Sequence, residues 1–185
     1  MEARSDQELV LACLVGQAEA FEALLGRYQV RVFSFLMRMA GNASDAEDLC
    51  QETFLKAFEN LEAYDRQRPL GSWLLAVAHN TAVDFLRARK PAGSLDDEDE
   101  TVELCDPAQS VEGAAQAAWD QQTMERVLAE LPPIYREALV LRHHEGLDYA
   151  SLAEVLQVPE GTAKIRLFRG RELLRRKLAA LGYGA

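Results

Sequence analysis

The chain has 185 residues, 49% of them hydrophobic and 27% charged, and its formal net charge is -10. This length and composition indicate one ordinary folded domain or two small ones rather than a disordered chain. No apolar run approaches the roughly 18 residues that a membrane-spanning helix needs, and the N-terminus is polar, so we expect a cytoplasmic protein with no membrane contact of its own. The three cysteines are widely spaced and form no C-x-x-C pair, which favours reduced, structural thiols.

The first lobe is predicted to contain four helices. Ser5 and Glu8 form a capping box before the apolar run LVLACLV, and a longer amphipathic stretch ends at Gly41. Residues 44–47 form a second capping box at the start of a third helix, and a fourth helix is expected from about Gly71 to Ala88. Apolar residues recur at helical spacing throughout, so we expect an all-α protein.

The fourth helix carries a mixed face beside its apolar stripe. Trp73, Asn80 and Arg87 fall on that face, which combines an aromatic ring, an amide and a base. Unstacked bases expose both their ring faces and their pairing edges, so this combination suits single-stranded nucleic acid. The alternative is that Trp73 only anchors the end of the helix in the core.

An acidic segment divides the chain. Residues 94–112 contain eight Asp or Glu and no Lys or Arg, follow Pro91 and Gly93, and show no helical period. We therefore predict an N-terminal domain at 1–90, a flexible acidic linker at 91–112 and a C-terminal domain at 113–185.

The second lobe has the pattern of a helix-turn-helix. One helix is expected to end at Leu131 and the next to run from about Pro133 to His144. Asp148 then caps the short helix YASLAEVLQ, and Pro159 stands at the first position of a last long helix. A short helix, a tight turn and a basic helix together predict an element that enters the DNA major groove.

The last helix is predicted to have one packing face and one DNA-contacting face. The segment Pro159 to Lys177 contains seven Lys or Arg and two Glu, and its small or apolar residues share one side. The candidates that project from the other side for contact with bases or phosphates are Thr162, Lys164, Ile165, Arg166, Arg169 and Arg171. The alternative is a solvated charged helix that is held by packing alone.

Three ordered stretches carry a family resemblance: DAEDLCQETFLKAF at 45–58, WLLAVAHNTAVDFLR at 73–87, and GLDYASLAEVLQVPEGTAKIRLFRGRELLRR at 146–176. In this order they resemble the extracytoplasmic-function (ECF, group IV) sigma factors of bacterial RNA polymerase, within the sigma-seventy family. Ile165 and Phe168 depart from the pattern, because small or polar residues are commoner there, and so does Gly170, where Ala is usual.

The resemblance implies a sigma factor that binds core RNA polymerase, at the beta-prime clamp and the beta subunit, and directs promoter-specific initiation under the control of an anti-sigma factor. It assigns polymerase docking to Asp48, Gln51 and Glu52. It assigns capture of a flipped minus-10 base to the loop that contains Tyr64, with His79 and Asn80 on the adjoining helix. Trp73 and Arg87 of the mixed face complete the predicted minus-10 set. The last helix would read the minus-35 element as duplex DNA. No cofactor is implied.

The charge of the chain refines this interpretation. Because phosphate neutralisation dominates affinity for duplex DNA, an acidic chain is expected to bind promoters weakly alone and well with the polymerase. As a hypothesis, Asp96 to Glu100 mimic RNA phosphates in a polymerase groove. The alternative is that the acidic segment is only a soluble tether between the lobes.

Two other functions, a two-domain transcription regulator and an enzyme, predict different properties of the chain. An autonomous two-domain regulator would bind duplex DNA tightly without polymerase. An enzyme would use His143, His144 and Glu145 as a metal site, but adjacent residues on a helix point about 100° apart and do not easily share one metal ion. We instead expect the two histidines to end a helix as cations that favour the helix dipole, and we assign no catalytic and no metal-binding residue.

Overall fold

The computed structural model describes residues 4–89 and 121–183, and every regular element within them is helical, which confirms the all-α fold. The predicted linker, with its proposed phosphate mimic, lies outside the described residues. The helices of the first lobe are α1 (Asp6–Leu14), α2 (Ala18–Ala40), α3 (Ala43–Glu59) and α4 (Leu70–Arg89), with a short 3-10 turn at Leu61–Ala63. Those of the second lobe are α5 (Gln121–Ala129), α6 (Pro133–His143), α7 (Tyr149–Leu156) and α8 (Glu160–Ala180).

Local capping chemistry sets most helix ends where the sequence predicts them. The Ser5–Glu8 capping box opens α1, Gly41 ends α2 in the left-handed conformation, and the Asp148 carboxylate accepts from the Ser151 amide to open α7. The predicted capping box at 44–47 is wrong. Asn42 caps α3 instead, because its extended backbone lets its side chain accept from the Asp45 amide.

Two further boundaries differ from the sequence predictions. Pro159 is the N-cap of α8 rather than its first helical residue, since its ψ of 146° is extended. The helix α5 ends at Ala129, two residues before the predicted end at Leu131. Neither shift changes which residues face the core.

Each lobe builds its core from the predicted apolar stripes. In the first lobe Phe35, Leu36 and Leu75 are fully buried where α2 packs against α3 and α4. In the second lobe Leu152 and Leu167 are fully buried where α7 meets α8. The helices of each lobe therefore bury a shared apolar face, as small helical domains require.

The helices α6 and α8 approach each other closely at Gly170. A Cβ atom added there would lie 3.1 Å from the main-chain oxygen of Tyr135 and 3.1 Å from Cγ of Leu139. This contact explains why glycine stands at a position that the family resemblance gives to alanine.

The two lobes pack against each other. The helix α4 lies on α7, and α2 lies on α5 and α6, so that the buried side chains form one continuous cluster. Charged groups are also buried at this boundary, among them Arg136 and Glu137 of α6.

Two interior helix glycines are expected to respond differently to alanine. Gly26→Ala in α2 should raise the free energy of unfolding by about 0.5–1 kcal/mol, because alanine is the better helix former and nothing lies within 4 Å of the added Cβ. Gly170→Ala should lower it, because the new methyl group must push α8 away from the α6 backbone. Urea unfolding followed by circular dichroism measures both, and an equal gain at the two sites would contradict the close contact of α6 with α8.

Candidate nucleic-acid interface

The basic side of α8 faces outward while its small residues are buried. Ala163, Leu167 and Gly170 pack inward as predicted. Of the six predicted DNA-contacting residues, Lys164, Ile165 and Arg171 are exposed, and Thr162, Arg166 and Arg169 are partly buried. All six predicted residues thus lie off the buried stripe of α8, with Lys164 and Arg171 on one flank and Thr162, Arg166 and Arg169 on the other.

Neighbouring helices hold several of these side chains in place. Arg166 Nη1 lies 3.3 Å from Glu137 Oε1, and Arg169 Nη1 lies 3.5 Å from the Tyr135 hydroxyl. Sequence reasoning missed Glu137. Glu137 is only 2% exposed. From the sequence alone it is one of the polar residues of an amphipathic helix, which are normally exposed.

The exposed bases on α8 have partners as well. Lys164 pairs with Glu160 at 2.6 Å and lies 5.2 Å from the centre of the Tyr149 ring. Arg171 Nε donates to His143 Nε2 at 3.3 Å. The basic face is therefore positioned before any DNA binds, which lowers the conformational entropy that binding has to remove.

The histidines at the end of α6 are not the helix-end cations that the sequence suggests. Each ring keeps an exposed edge, but partial burial, with Arg171 and Arg142 nearby, lowers the pKa of His143. Partial burial and Arg38 likewise lower the pKa of His144. The neutral forms are favoured, which suits a ring that accepts a hydrogen bond from Arg171.

The predicted minus-10 residues divide into two groups. Asn80 and Arg87 are exposed on α4, and Trp73 is partly buried, so these three remain on an accessible face. Tyr64 and His79 are each only 6% exposed.

Tyr64 belongs to the core of the first lobe in this arrangement. Its ring centre lies 5.1 Å from that of Trp73, and its hydroxyl donates to the main-chain oxygen of Arg68. The ring is therefore buried in the described arrangement, and the assignment of base capture to Tyr64 stays a prediction. Sequence spacing places a tyrosine in the loop but does not show whether its ring turns inward.

His79 is buried for a different reason, because it faces the second lobe. Its Nδ1 atom lies 3.2 Å from Glu137 Oε2, although the angle between them does not make a hydrogen bond. His79 is therefore buried in the described arrangement, and its assignment to the minus-10 element stays a prediction.

The third helix presents the predicted polar face, with one addition. Asp48, Gln51 and Glu52 are exposed, while Leu49 and Phe54 are buried. Leu55 lies one turn further along the same face and is 62% exposed. Sequence reasoning missed it, although its spacing of three or four residues from Gln51 and Glu52 is a usable signal.

Neither a metal site nor a membrane-spanning helix is found in the part of the chain that the structure describes. Within 4–89 and 121–183 no three His, Cys, Asp or Glu side chains are grouped to hold a metal ion. No helix in the same ranges is long and apolar enough to cross a membrane.

Comparison with protein families gives two matches along the chain. Sigma-70 region 2 matches residues 24–91, and Sigma-70, region 4 matches residues 121–174. The first match contains most of α2 and the whole of α3 and α4, and the second contains α5, α6, α7 and most of α8.

Several curated proteins are similar over nearly the whole chain. The ECF RNA polymerase sigma factor SigW of Bacillus subtilis (strain 168) is 34% identical over 173 residues, which are 90% of this chain and 92% of that protein. The RNA polymerase sigma-H factor of Pseudomonas aeruginosa is 33% identical over 183 residues, or 95% of each chain. The ECF RNA polymerase sigma-E factor of Escherichia coli (strain K12) is 31% identical over 184 residues, or 96% of each chain.

Solved structures share the fold. CnrH, solved in complex with the cytosolic domain of CnrY, matches with a TM-score of 0.69 and 23% identity over 95% of this chain and 97% of that one. The sigma factor RpoE of Bartonella quintana, solved with the anti-sigma factor NepR, matches with a TM-score of 0.65 and 24% identity over 86% of this chain and 96% of that one. On the region matches and the curated relatives together, this chain belongs to the ECF sigma factors of the sigma-70 family.

Proposed function

We propose that this protein binds core RNA polymerase and directs promoter-specific transcription initiation as a non-enzymatic factor in the cytoplasm. Residues 1–90 bind the polymerase and read the minus-10 element, 91–112 connect the lobes, and 113–185 read the minus-35 element. The observation that carries the proposal is that each sigma-70 region match contains an exposed face suited to its role, on α3 and α4 in the first match and on α8 in the second.

Polymerase binding is assigned to the exposed face of α3. Asp48, Gln51 and Glu52 supply charged and polar groups to the beta-prime clamp. Leu55, which follows them toward the C-terminal end of α3, supplies an apolar contact to the same partner. A leucine surrounded by polar groups is typical of an interface whose apolar centre has a polar rim.

Minus-10 recognition is assigned to the exposed face of α4. Asn80 can pair with the edge of an unstacked base, Arg87 can neutralise phosphate, and Trp73 offers part of a ring for stacking. Tyr64 is not placed on this exposed face. Its ring is buried against Trp73 of the same lobe, so separation of the lobes does not expose it. His79 faces the other lobe and becomes accessible only if the lobes separate.

Minus-35 recognition is assigned to the outward face of α8. Arg166 and Arg169 lie where a recognition helix contacts base edges, whereas Lys164 and Arg171 suit phosphates, with Thr162 and Ile165 beside them. Control by an anti-sigma factor is part of the proposal, because the sigma factor RpoE of Bartonella quintana, which has the same fold, was solved with the anti-sigma factor NepR. The exposed apolar residues Ile165 and Phe168 suit contact with such a protein.

Leu55→Ala is expected to weaken binding to core polymerase by about tenfold, since loss of a buried leucine contact removes free energy of that order. Fluorescence anisotropy of the labelled protein titrated with purified core measures the affinity. Val30→Ala is the matched control, because Val30 is equally apolar and exposed but lies on α2. Equal losses for the two variants would contradict the assignment to α3.

Arg166→Ala is expected to reduce run-off transcription from a minus-35-dependent promoter by roughly 5- to 100-fold, the range that one base-reading arginine supports. Lys177→Ala removes the same charge beyond the reading face and should leave transcription unchanged. Arg166→Ala also removes a partner of buried Glu137 and can therefore lower stability. Arg169→Ala is tested beside it for this reason, and thermal unfolding shows whether each variant is still folded. Full activity of both arginine variants would contradict minus-35 recognition by α8.

Asn80→Ala is expected to impair initiation on duplex promoters at the melting step, because it removes an amide that pairs with an unstacked base. Permanganate footprinting of thymines in the minus-10 region measures melting directly. A template with that region already unpaired should recover most of the transcription. Normal melting by this variant would contradict the role of α4.

A further inference from the structure

Glu137 of α6 lies beneath one of the arginines that the proposed function assigns to base reading. Its Oε1 atom accepts a hydrogen bond from Arg166 Nη1 at 3.3 Å, and the carboxylate is buried. Its Oε2 atom lies 3.2 Å from His79 of the first lobe, without a hydrogen bond. A carboxylate removed from water needs a charged or hydrogen-bonded partner, and Arg166 of the same lobe supplies one.

Arg166 is held differently from the bases further along α8. Its side chain is 23% exposed, against 72% for Arg175 and 70% for Arg176, which both pair with Glu172 on the same helix. Exposed ion pairs of that kind hold a side chain only weakly. A partner that is buried on another helix restricts Arg166 to fewer orientations, so its guanidinium is directed before DNA arrives.

The carboxylate also changes what Arg166 offers to DNA. A guanidinium carries five N–H donors in a fixed fork, so one hydrogen bond to Glu137 leaves donors for a base edge. The negative charge at 3.3 Å offsets much of the positive charge that a phosphate would meet. Because phosphate neutralisation dominates affinity for DNA of any sequence, the pair suits the reading of bases more than the binding of the backbone.

We propose that Glu137 is a specificity-determining residue of the minus-35 interface, and that it acts through Arg166. It directs the guanidinium toward one base pair and offsets its charge, so the pair contributes to the choice of sequence and little to general affinity for duplex DNA. Glu137 is a positioning residue, since it lies beneath α8 and is not assigned a contact with DNA. The inference rests on the proposed function, because it concerns the sequence preference of the surface assigned to α8.

Glu137→Gln tests this role, because it keeps the shape of the side chain and removes its charge. Full-length protein bound to core polymerase is assayed by run-off transcription on promoters randomised in the minus-35 element. We expect discrimination at one base pair to fall by about fivefold or more, since one base-reading arginine contributes about 5- to 150-fold. Preferences at the other positions should persist.

Glu130→Gln is the matched control for this assay. Glu130 also pairs with a base of α8, at 2.9 Å from Lys177, but it is exposed and lies away from the assigned face. Its loss should leave the base preferences unchanged. Unchanged discrimination by Glu137→Gln, or an equal loss in Glu130→Gln, would overturn the inference.

Salt dependence separates the proposed role from a loss of stability. Glu137→Gln should steepen the slope of log affinity against log salt, for polymerase-bound protein on non-promoter duplex DNA, by up to about 0.9. One uncovered arginine charge neutralises up to one further phosphate, which accounts for a slope of about 0.9. A variant that is only less stable would bind less DNA with no steeper slope, and that result would contradict the charge-offsetting role.

A double-mutant comparison shows whether Glu137 acts through Arg166. In an Arg166→Ala background, Glu137→Gln should cause no further loss of discrimination, because the side chain that it positions is gone. Glu137→Asp keeps the charge but withdraws the carboxylate from Arg166, and it takes the place of Glu137→Gln if thermal unfolding shows that the latter is not folded. Independent losses at the two sites would overturn the inference. Failure of the proposed function has another signature, since the wild type with polymerase would then show no minus-35 preference at all.

Discussion

Two adjacent charged residues of α6, Arg136 and Glu137, are buried, and the helices around α6 are arranged so that both have partners. A charge removed from water needs partners close by. The guanidinium finds main-chain carbonyls at the C-terminal ends of α2 and α5, which a helix leaves without internal partners. The carboxylate finds side chains of α8 and α4. Two consecutive residues thereby connect α6 to four other helices.

The same helix supports the DNA-facing side of α8. Tyr135, Glu137 and His143 of α6 contact three arginines of α8 from beneath, and Gly170 lets the two helices approach closely enough for those contacts to form. Side chains ordered in this way lose less conformational freedom when they bind a ligand. The basic face of α8 therefore depends on α6 as much as on its own sequence.

The features that the sequence predicts are those determined by neighbours along the chain. The Ser5 and Asp148 caps, the left-handed Gly41 and the inward face of α8 all follow from spacing or local hydrogen bonds. The features it misses depend on contacts between distant residues. The buried ring of Tyr64, the inward turn of His79 and the buried carboxylate of Glu137 each require a partner that spacing does not identify. Leu55 is exposed because no helix within residues 4–89 and 121–183 covers α3 there.

The boundary between the lobes contains charged contacts beside apolar ones, and the two kinds of contact differ in the free energy needed to separate them. Separation of an apolar contact costs more free energy with every Å² exposed, at about 25 cal/mol/Å², whereas the charged groups of Arg31 on α2 and of Arg136 and Glu137 on α6 regain water when the lobes part. Glu137 holds one partner within its own lobe, Arg166 of α8, and lies beside His79 of the other lobe. The boundary therefore combines an apolar cost of separation with charged groups whose hydration offsets part of that cost.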